Sequence, residues 1–147
     1  RETAYAGILK TSPDIGMYTS VETGNCSIRN AFAANDAVSF GSIINAYTQP
    51  FLLLYNHRKD RGYRMEAFAK AIRQSAAKPV CIGVIGENKK ACARYMQRAT
   101  GIQAQAVERP REWIRAQNVR HVLCAGNIKG EGRQLLEEMI EEARQNV

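Results

Sequence analysis

The sequence has 147 residues, of which 45% are hydrophobic and 24% are charged, and its net charge at neutral pH is +7. This length suffices for one domain with a substantial core, and the composition excludes an intrinsically disordered chain. No apolar run approaches the roughly 20 residues that a transmembrane helix needs, and the excess of Lys and Arg favours anionic partners without selecting one class of them.

The first 16 residues are expected to belong to another structural unit. Residues 1–10 have the pattern of the end of a helix, and Pro13 and Gly16 then interrupt it. The segment opens on Arg1 rather than Met and lacks the pattern of a signal peptide. We therefore expect residues 1–16 to be the tail of a preceding domain with its linker, and residues 17–147 to form the next domain.

Two short apolar segments follow, at residues 17–22 and 26–34, and the turn-forming residues 23–25 separate them. This arrangement is typical of a β-hairpin at the edge of a sheet. The sequence does not fix the register of its two strands.

From residue 36 onward, apolar runs of strand length alternate with segments of helical period. Helices are expected at residues 36–48, 65–77, 89–100, 110–117 and 132–146, and strands at residues 51–55, 79–85, 103–107 and 119–125. Strands that alternate with helices indicate a mainly parallel sheet with helices on both faces. The predicted fold class is therefore α/β, a Rossmann-like sandwich with an antiparallel edge hairpin.

The four cysteines are Cys26, Cys81, Cys92 and Cys124, and no two of them form a C-x-x-C pair. Three of them lie in apolar stretches, where a free cysteine usually behaves as a small hydrophobic residue. We expect reduced thiols of a cytosolic protein. The two histidines are too isolated to predict a metal site.

Three polar clusters follow predicted strands. Because ligands of parallel sheets bind outside the carboxyl ends of the strands, these clusters mark a candidate site at one sheet edge. The candidate site residues are Asn35, Asp36, Asn56, Arg58, Asp60, Arg61, Gly126, Asn127 and Gly130.

The residue types within these clusters suit the binding of anions. Arg58 and Arg61 are planar forks for a carboxylate or a phosphate, and Asp60 is placed to hold one of them. The asparagines and Asp36 offer hydrogen bonds, and glycines before a helix let backbone N–H groups approach an anion. Each cluster also has a structural explanation: a helix cap, a solvated loop or a tight turn.

Other motifs are absent or structural. The sequence contains no P-loop, no nucleophile–base pair and no obvious carboxylate pair for acid–base work. The glycines at residues 83 and 86 are interpreted as sites of close packing. This inventory indicates a domain that binds and positions anionic groups.

The same clusters carry a resemblance to a known family. The segments NAFAANDA at residues 30–37, N-x-R-x-D-R at residues 56–61 and G-N-I-x-G at residues 126–130 resemble, in order and spacing, the C-terminal domain of poly-γ-glutamate synthase ligase subunits. That family belongs to the Mur ligase-like amide ligases. Residues 2–7 and 13–16 are similar to the junction between its central and C-terminal domains.

The resemblance implies an ATP-dependent ligase that forms an acyl phosphate and adds glutamate to poly-γ-glutamate. It implies that ATP and Mg²⁺ are bound mainly by a central domain outside this chain, so that the isolated fragment is inactive. The implied partners are that domain, glutamate, the polymer and small membrane subunits, at the inner face of the cell membrane. The chain departs from many Mur ligases at Ala31, where an acidic residue is expected near the ribose.

Two other functions are also compatible with the sequence. The first is a non-enzymatic Rossmann-like module that binds a nucleotide or an anionic metabolite. The second is nucleic-acid binding through the basic surface, which is disfavoured because aromatic residues are only 7% and do not interleave with the basic ones. The sequence leaves the added amino acid, its stereochemistry and the oligomeric state undetermined.

Overall fold

The computed structural model describes residues 19–24, 26–32, 37–127 and 129–145, which contain six strands and five α-helices, and from the second strand onward strands and helices alternate. The strands are β1 (Thr19–Glu22), β2 (Ser27–Asn30), β3 (Phe51–His57), β4 (Ile82–Gly86), β5 (Ala104–Ala106) and β6 (His121–Gly126). The helices are α1 (Ala37–Asn45), α2 (Gly62–Gln74), α3 (Lys89–Thr100), α4 (Pro110–Gln117) and α5 (Glu131–Gln145), and a 3₁₀ turn spans Lys59–Arg61.

The strands form one sheet in the order β1-β2-β6-β3-β4-β5. β1 and β2 pair antiparallel with Thr19 opposite Asn30, which fixes the register that the sequence left open. All the other pairs are parallel. The predicted fold class, a mainly parallel α/β sheet with an antiparallel edge hairpin, is confirmed.

Helices cover both faces of the sheet because the strands are apolar on both. Along β3, Leu53 and Tyr55 face one core and Leu52 and Leu54 face the other. The first core is closed by α1, α2 and α3 through Phe40, Ile44, Phe68, Ile72 and Met96. The second is closed by α4 and α5 through Trp113, Ile114, Leu135, Leu136 and Met139.

The connections between strands create a switch point in the sheet. Helices α1, α2 and α3 follow β2, β3 and β4 on one face, whereas α4 returns across the opposite face and leads to β6. The helix after β3 and the helix after β6 therefore leave their adjacent strands towards opposite faces. Such a point opens a crevice at the carboxyl ends of the two strands, where doubly wound sheets bind ligands.

Most element predictions are confirmed, with shifted boundaries. The helices α3 and α4 have the predicted limits, and α5 begins one residue earlier than predicted. β3 continues through Asn56 and His57, beyond its predicted end at residue 55, because both residues keep their pairing with Ile85 and Gly86 of β4. α2 then begins at Gly62, three residues early. The predictions for residues 1–16 and for Asn35 and Asp36 lie outside the described residues.

The four cysteines are free, as predicted. Burial raises the pKa of the Cys92 and Cys124 thiols to about 12. Both therefore carry their proton at neutral pH and contribute apolar contacts to the core. None of the described helices is both long enough and apolar enough to cross a membrane.

Candidate functional site

The polar clusters after β3 and β6 meet at the carboxyl edge of the sheet. Asn56 stands opposite Gly126 in the parallel register, and the Asn127 N–H donates to the Asn56 carbonyl at 2.9 Å. The expected convergence is thus confirmed for these two clusters. The third, formed by Asn35 and Asp36, falls outside the described residues, and its place in the site stays a prediction.

Asn56 is the buried centre of this edge. Its side chain, in a residue only 2% exposed, donates from Nδ2 to the Asn127 carbonyl and, at 2.8 Å, to the Lys129 carbonyl. The sequence placed Asn56 in a loop after the strand, which is wrong, because the residue is the sixth of β3. One amide therefore holds the loop after β6 against β3.

Three glycines lie so close to Asn56 that a side chain on any of them would collide with it. Gly126 has a φ of +97°, and a Cβ there would collide with the Asn56 carbonyl oxygen. A Cβ on Gly86, whose φ is +96°, would collide with the Asn56 side-chain oxygen, and one on Gly132 would lie 2.6 Å from its Nδ2. Gly126 thus has a structural reason for its identity besides the predicted approach to an anion.

The loop after β6 leads directly into a helix N-terminus. The Lys129 N–H donates to the Asn127 Oδ1 at 2.9 Å, which closes an Asx turn. Gly130 has a φ of +68° with no atom close to a Cβ, and its carbonyl accepts from the Gln134 N–H at 3.1 Å. The first turn of α5 therefore starts at this edge, where unpaired N–H groups favour anions.

Arg58, in the polar cluster after β3, forms an ion pair with a residue of the same segment. Arg58 Nη2 lies 2.8 Å from Asp60 Oδ2, and the two side chains are 31% and 55% exposed. Asp60 thus contacts an arginine as the sequence predicted, and its role in orienting that arginine towards a ligand stays a prediction. Arg61 is the last residue of the 3₁₀ turn, and its contact with a ligand stays a prediction.

The sequence reasoning missed Glu87. Its carboxylate accepts the Lys59 N–H at 3.0 Å, and its own N–H donates to the His57 carbonyl at 2.9 Å, so the ends of β3 and β4 are tied together. The sequence contained a signal that could have identified Glu87, because this residue directly follows a strand, as the polar clusters do. The close packing predicted at Gly83 is confirmed, since a Cβ there would lie 2.8 Å from the Trp113 ring.

Lys89 is a second residue that sequence reasoning missed. Its side chain is 17% exposed, and Nζ lies 3.1 Å from Glu108 Oε1 and 3.6 Å from Glu131 Oε2. The ammonium group joins the start of α3 to the segment before α4 and to the first residue of α5. These residues border a polar cleft of about 500 Å³ between α4 and α5.

His57 is buried beside this edge, at 5% exposure, and its Nδ1 has no partner among the described residues. Burial lowers the pKa of its imidazole, while the nearby carboxylates of Glu87 and Asp60 act in the opposite direction. The ring is therefore neutral at pH 7, and it stacks at 6.0 Å from the Tyr55 ring. These contacts indicate a packing role.

The edge as a whole offers cations and N–H donors. Its positively charged residues include Arg58, Lys59 and Lys129, and the N-terminus of α5 adds its dipole. Among the described residues, no group of three or more His, Cys, Asp or Glu is arranged to hold a metal ion. Such an edge is suited to binding and orienting carboxylates or phosphates supplied by a ligand.

A family model described as the poly-gamma-glutamate synthase CapB C-terminal domain matches residues 17–142. No curated protein matches the sequence. The model thus covers most of the chain, including both clusters described above.

Solved structures of three Thermotoga maritima ligases are similar in fold. The folylpolyglutamate synthase superposes with a TM-score of 0.66 at 16% identity, over 98% of this chain and 36% of its own. The UDP-N-acetylmuramate-alanine ligase MurC gives 0.53 at 13% identity, over 84% of this chain and 28% of its own. The MurF ligase, solved with ADP, superposes with a TM-score of 0.52 at 8% identity, over 90% of this chain and 32% of its own. The chain thus spans about a third of each ligase.

Proposed function

The chain belongs to the family of poly-gamma-glutamate synthase CapB C-terminal domains, and from this membership we propose that it positions substrate and nucleotide in a larger ATP-dependent amide ligase. The reaction proposed is the addition of glutamate to poly-γ-glutamate through an acyl phosphate. The fragment alone is expected to be inactive, since its described residues offer anion-binding groups without a nucleophile–base pair.

The observation that carries this proposal is that the polar segments after β3 and β6, whose groups suit anions, meet at a switch point of the sheet. The Asn56 amide holds the loop after β6 beside the end of β3, and that loop opens into the N-terminus of α5. An ordered set of donors at such a crevice binds negative groups with little reorganisation. Its position at the edge of the domain leaves it accessible to another domain of the same ligase.

Each candidate residue has a role in this proposal. Arg58 and Arg61 bind a carboxylate of glutamate or a phosphate, and Asp60 keeps the Arg58 guanidinium in position. The first N–H groups of α5, directly after Gly130, contribute donors, with the Asn127 side chain shaping the turn before them. Asn35 and Asp36 complete the set with hydrogen bonds. Asn56 acts as a positioning residue, since both of its amide hydrogens are directed at backbone carbonyls.

The described residues fit part of a bound ATP. The exposed cations and the helix N-terminus at this edge suit its phosphates, and when bound the nucleotide supplies the phosphoryl group that activates a carboxylate. They do not fit Mg²⁺ by themselves, because no described cluster has enough acidic or imidazole ligands. We assign Mg²⁺ and most ATP contacts to the preceding central domain of the ligase.

The remaining partners follow from the proposed reaction. They are glutamate, the growing polymer and small membrane subunits, which would place the ligase at the inner face of the membrane. The net charge of +7 suits a polyanionic product, and nucleic acid is not proposed as a partner.

The test is glutamate-dependent ADP release by the full-length ligase, with its membrane subunits present. Arg58→Gln and Arg61→Gln are each expected to lower kcat/KM by about 10- to 100-fold, the usual cost of losing a hydrogen bond to a charged group. The matched control is Arg120→Gln, an exposed residue at the amino end of β6 that pairs with Glu22 at 3.3 Å. It is expected to change kcat/KM by less than about twofold.

The outcomes separate the claims. Near-normal turnover in both site variants would remove the arginine roles while leaving the ligase assignment. ADP release that ignores glutamate would overturn the choice of substrate. No ADP release under any condition would favour a non-enzymatic binding module instead.

A further inference from the structure

Positive charge is concentrated on one side of this domain. Helices α2 and α3 together contain seven Lys or Arg and one Glu, whereas α4 and α5 on the opposite face contain four Arg and six Glu. The net charge of +7 is therefore unevenly distributed, and the face formed by α2 and α3 attracts anions more strongly than the other.

Within that face, Lys90, Arg94 and Arg98 form a row along α3 that we call the α3 stripe. The three residues are spaced four apart, so they lie on one side of the helix at intervals of about 6 Å. All three are exposed, and the opposite side of the helix buries Cys92, Ala93 and Met96 in the core. None of the three cations has an ion pair with a described residue, whereas Lys89, the first residue of α3, has two.

From this geometry we propose that the α3 stripe is a docking track for the polyanionic product, outside the anion-binding edge described above. The inference rests on the proposed function for the identity of the polymer. A γ-linked glutamyl unit has five backbone bonds, so it extends over about 6 Å and presents one carboxylate in that length. The carboxylate repeat of the polymer thus matches the spacing of the cations.

The track begins close to the site. Lys89 precedes the stripe and ion-pairs with Glu131 at the first residue of α5, so the start of α3 lies beside the edge where the proposed reaction takes place. At its other end, Arg73 of α2 donates from Nη1 to the Ala99 carbonyl at 3.1 Å and adds a fourth exposed cation. A chain leaving the edge can follow this row over about 12 Å.

The experiment uses the full-length ligase and fluorescein-labelled poly-γ-glutamate of about 20 units, without ATP. In the stripe variant, Lys90, Arg94 and Arg98 are all changed to Gln. In the control, Arg115, Arg120 and Arg144 are changed to Gln; these are exposed arginines that lie away from the α3 stripe and outside the first turn of α5. Both variants lose the same charge, so a general effect of net charge affects them equally.

We expect the stripe variant to bind the polymer about tenfold more weakly at low salt and the control to change Kd by less than about twofold. Glutamate-dependent ADP release with a short acceptor should be unchanged in the stripe variant, since the stripe lies outside the site. Equal losses in both variants, or no loss in either, would overturn the proposal. So would a single-stranded oligonucleotide of equal charge that binds more tightly through the same three residues.

Failure of this inference is distinct from failure of the proposed function. Polymer binding is measured without ATP, so it does not depend on turnover. A wild-type ligase that releases ADP with glutamate but binds polymer regardless of the stripe would keep the proposed function and remove the track.

Discussion

At the scale of single residues, the candidate site depends on a buried amide and the glycines around it. Asn56 satisfies two backbone carbonyls of a loop more than 70 positions further along the chain. Without those donors, the carbonyls would lose hydrogen bonds next to the core, at a cost of about 1–3 kcal/mol. The glycines at positions 86, 126 and 132 are needed because any side chain there would displace this amide or its backbone.

The variant Gly126→Ala tests whether the close approach of Gly126 to Asn56 requires a glycine. The added Cβ meets the Asn56 backbone in addition to straining a φ of +97°, so we expect the free energy of unfolding to fall by more than about 3 kcal/mol. The matched control is Gly101→Ala, where φ is +75° but no atom lies near the Cβ. The control isolates the cost of the dihedral, about 1 kcal/mol.

Urea denaturation of the two variants, under identical conditions, measures the difference. A similar loss in both variants would mean that the contact with Asn56 adds nothing to the strain of the dihedral.

At the scale of secondary-structure elements, the site edge is assembled from the ends of several strands. Glu87 ties the end of β4 to the turn after β3, and Lys89 ties the start of α3 to the start of α5. Neither interaction is local in sequence. The elements that carry the site are therefore fixed to one another by charged contacts at their ends as well as by the two cores.

Lys89→Met tests the contribution of one such contact. The variant keeps the apolar part of the side chain but loses both ion pairs, and we expect it to lower the free energy of unfolding by about 1 kcal/mol, since Glu108 is 71% exposed and solvent weakens that pair. Lys90→Met is the control, because Lys90 is exposed and has no ion pair with a described residue. It should change stability by less than about 0.5 kcal/mol.

Chemical denaturation at low salt and again at 1 M NaCl provides the measurement. The difference between the two variants should shrink at high salt, because ions screen partly exposed pairs. A difference that is unaffected by salt would indicate lost packing rather than lost charge.

At the scale of the whole molecule, the two apolar cores on either side of the sheet each contain a protonated thiol. Cys92 lies in the core under α1–α3 and Cys124 in the core under α4 and α5, and burial raises both pKa values to about 12. Consider a thiol whose pKa is higher in the folded than in the unfolded chain. Its contribution to stability is complete when the pH is below the pKa of the unfolded chain. This contribution is lost as the pH rises towards the pKa of the folded chain.

We therefore predict alkaline destabilisation between pH 9 and pH 12. Each of the two thiols should lower the free energy of unfolding by about 1.4 kcal/mol per pH unit within this window. The double variant Cys92→Ala, Cys124→Ala should be less stable at pH 7 but decline less steeply with pH. Urea midpoints at pH 7, 9 and 10.5 measure both slopes, and parallel slopes in the two proteins would contradict the prediction.

The sequence by itself determined the fold class, most of the helices and strands, and the convergence of two polar clusters at one sheet edge. It did so because burial on each face leaves a periodic pattern in nearby residues, as in α3 and α4, and because parallel strands align their carboxyl ends. The resemblance carried by residues 30–37, 56–61 and 126–130 indicated the family from the same segments.

Only the tertiary structure decided which residues meet at that edge. The extension of β3 through His57, the burial of Asn56, and the contacts of Glu87 and Lys89 all depend on strands that are neighbours in the sheet but distant in the chain. The periodicity of apolar residues indicates which face of a helix or strand is buried, but it does not identify the residues that this face contacts. The strand order β6-β3-β4 supplied those partners, and with them the geometry of the site.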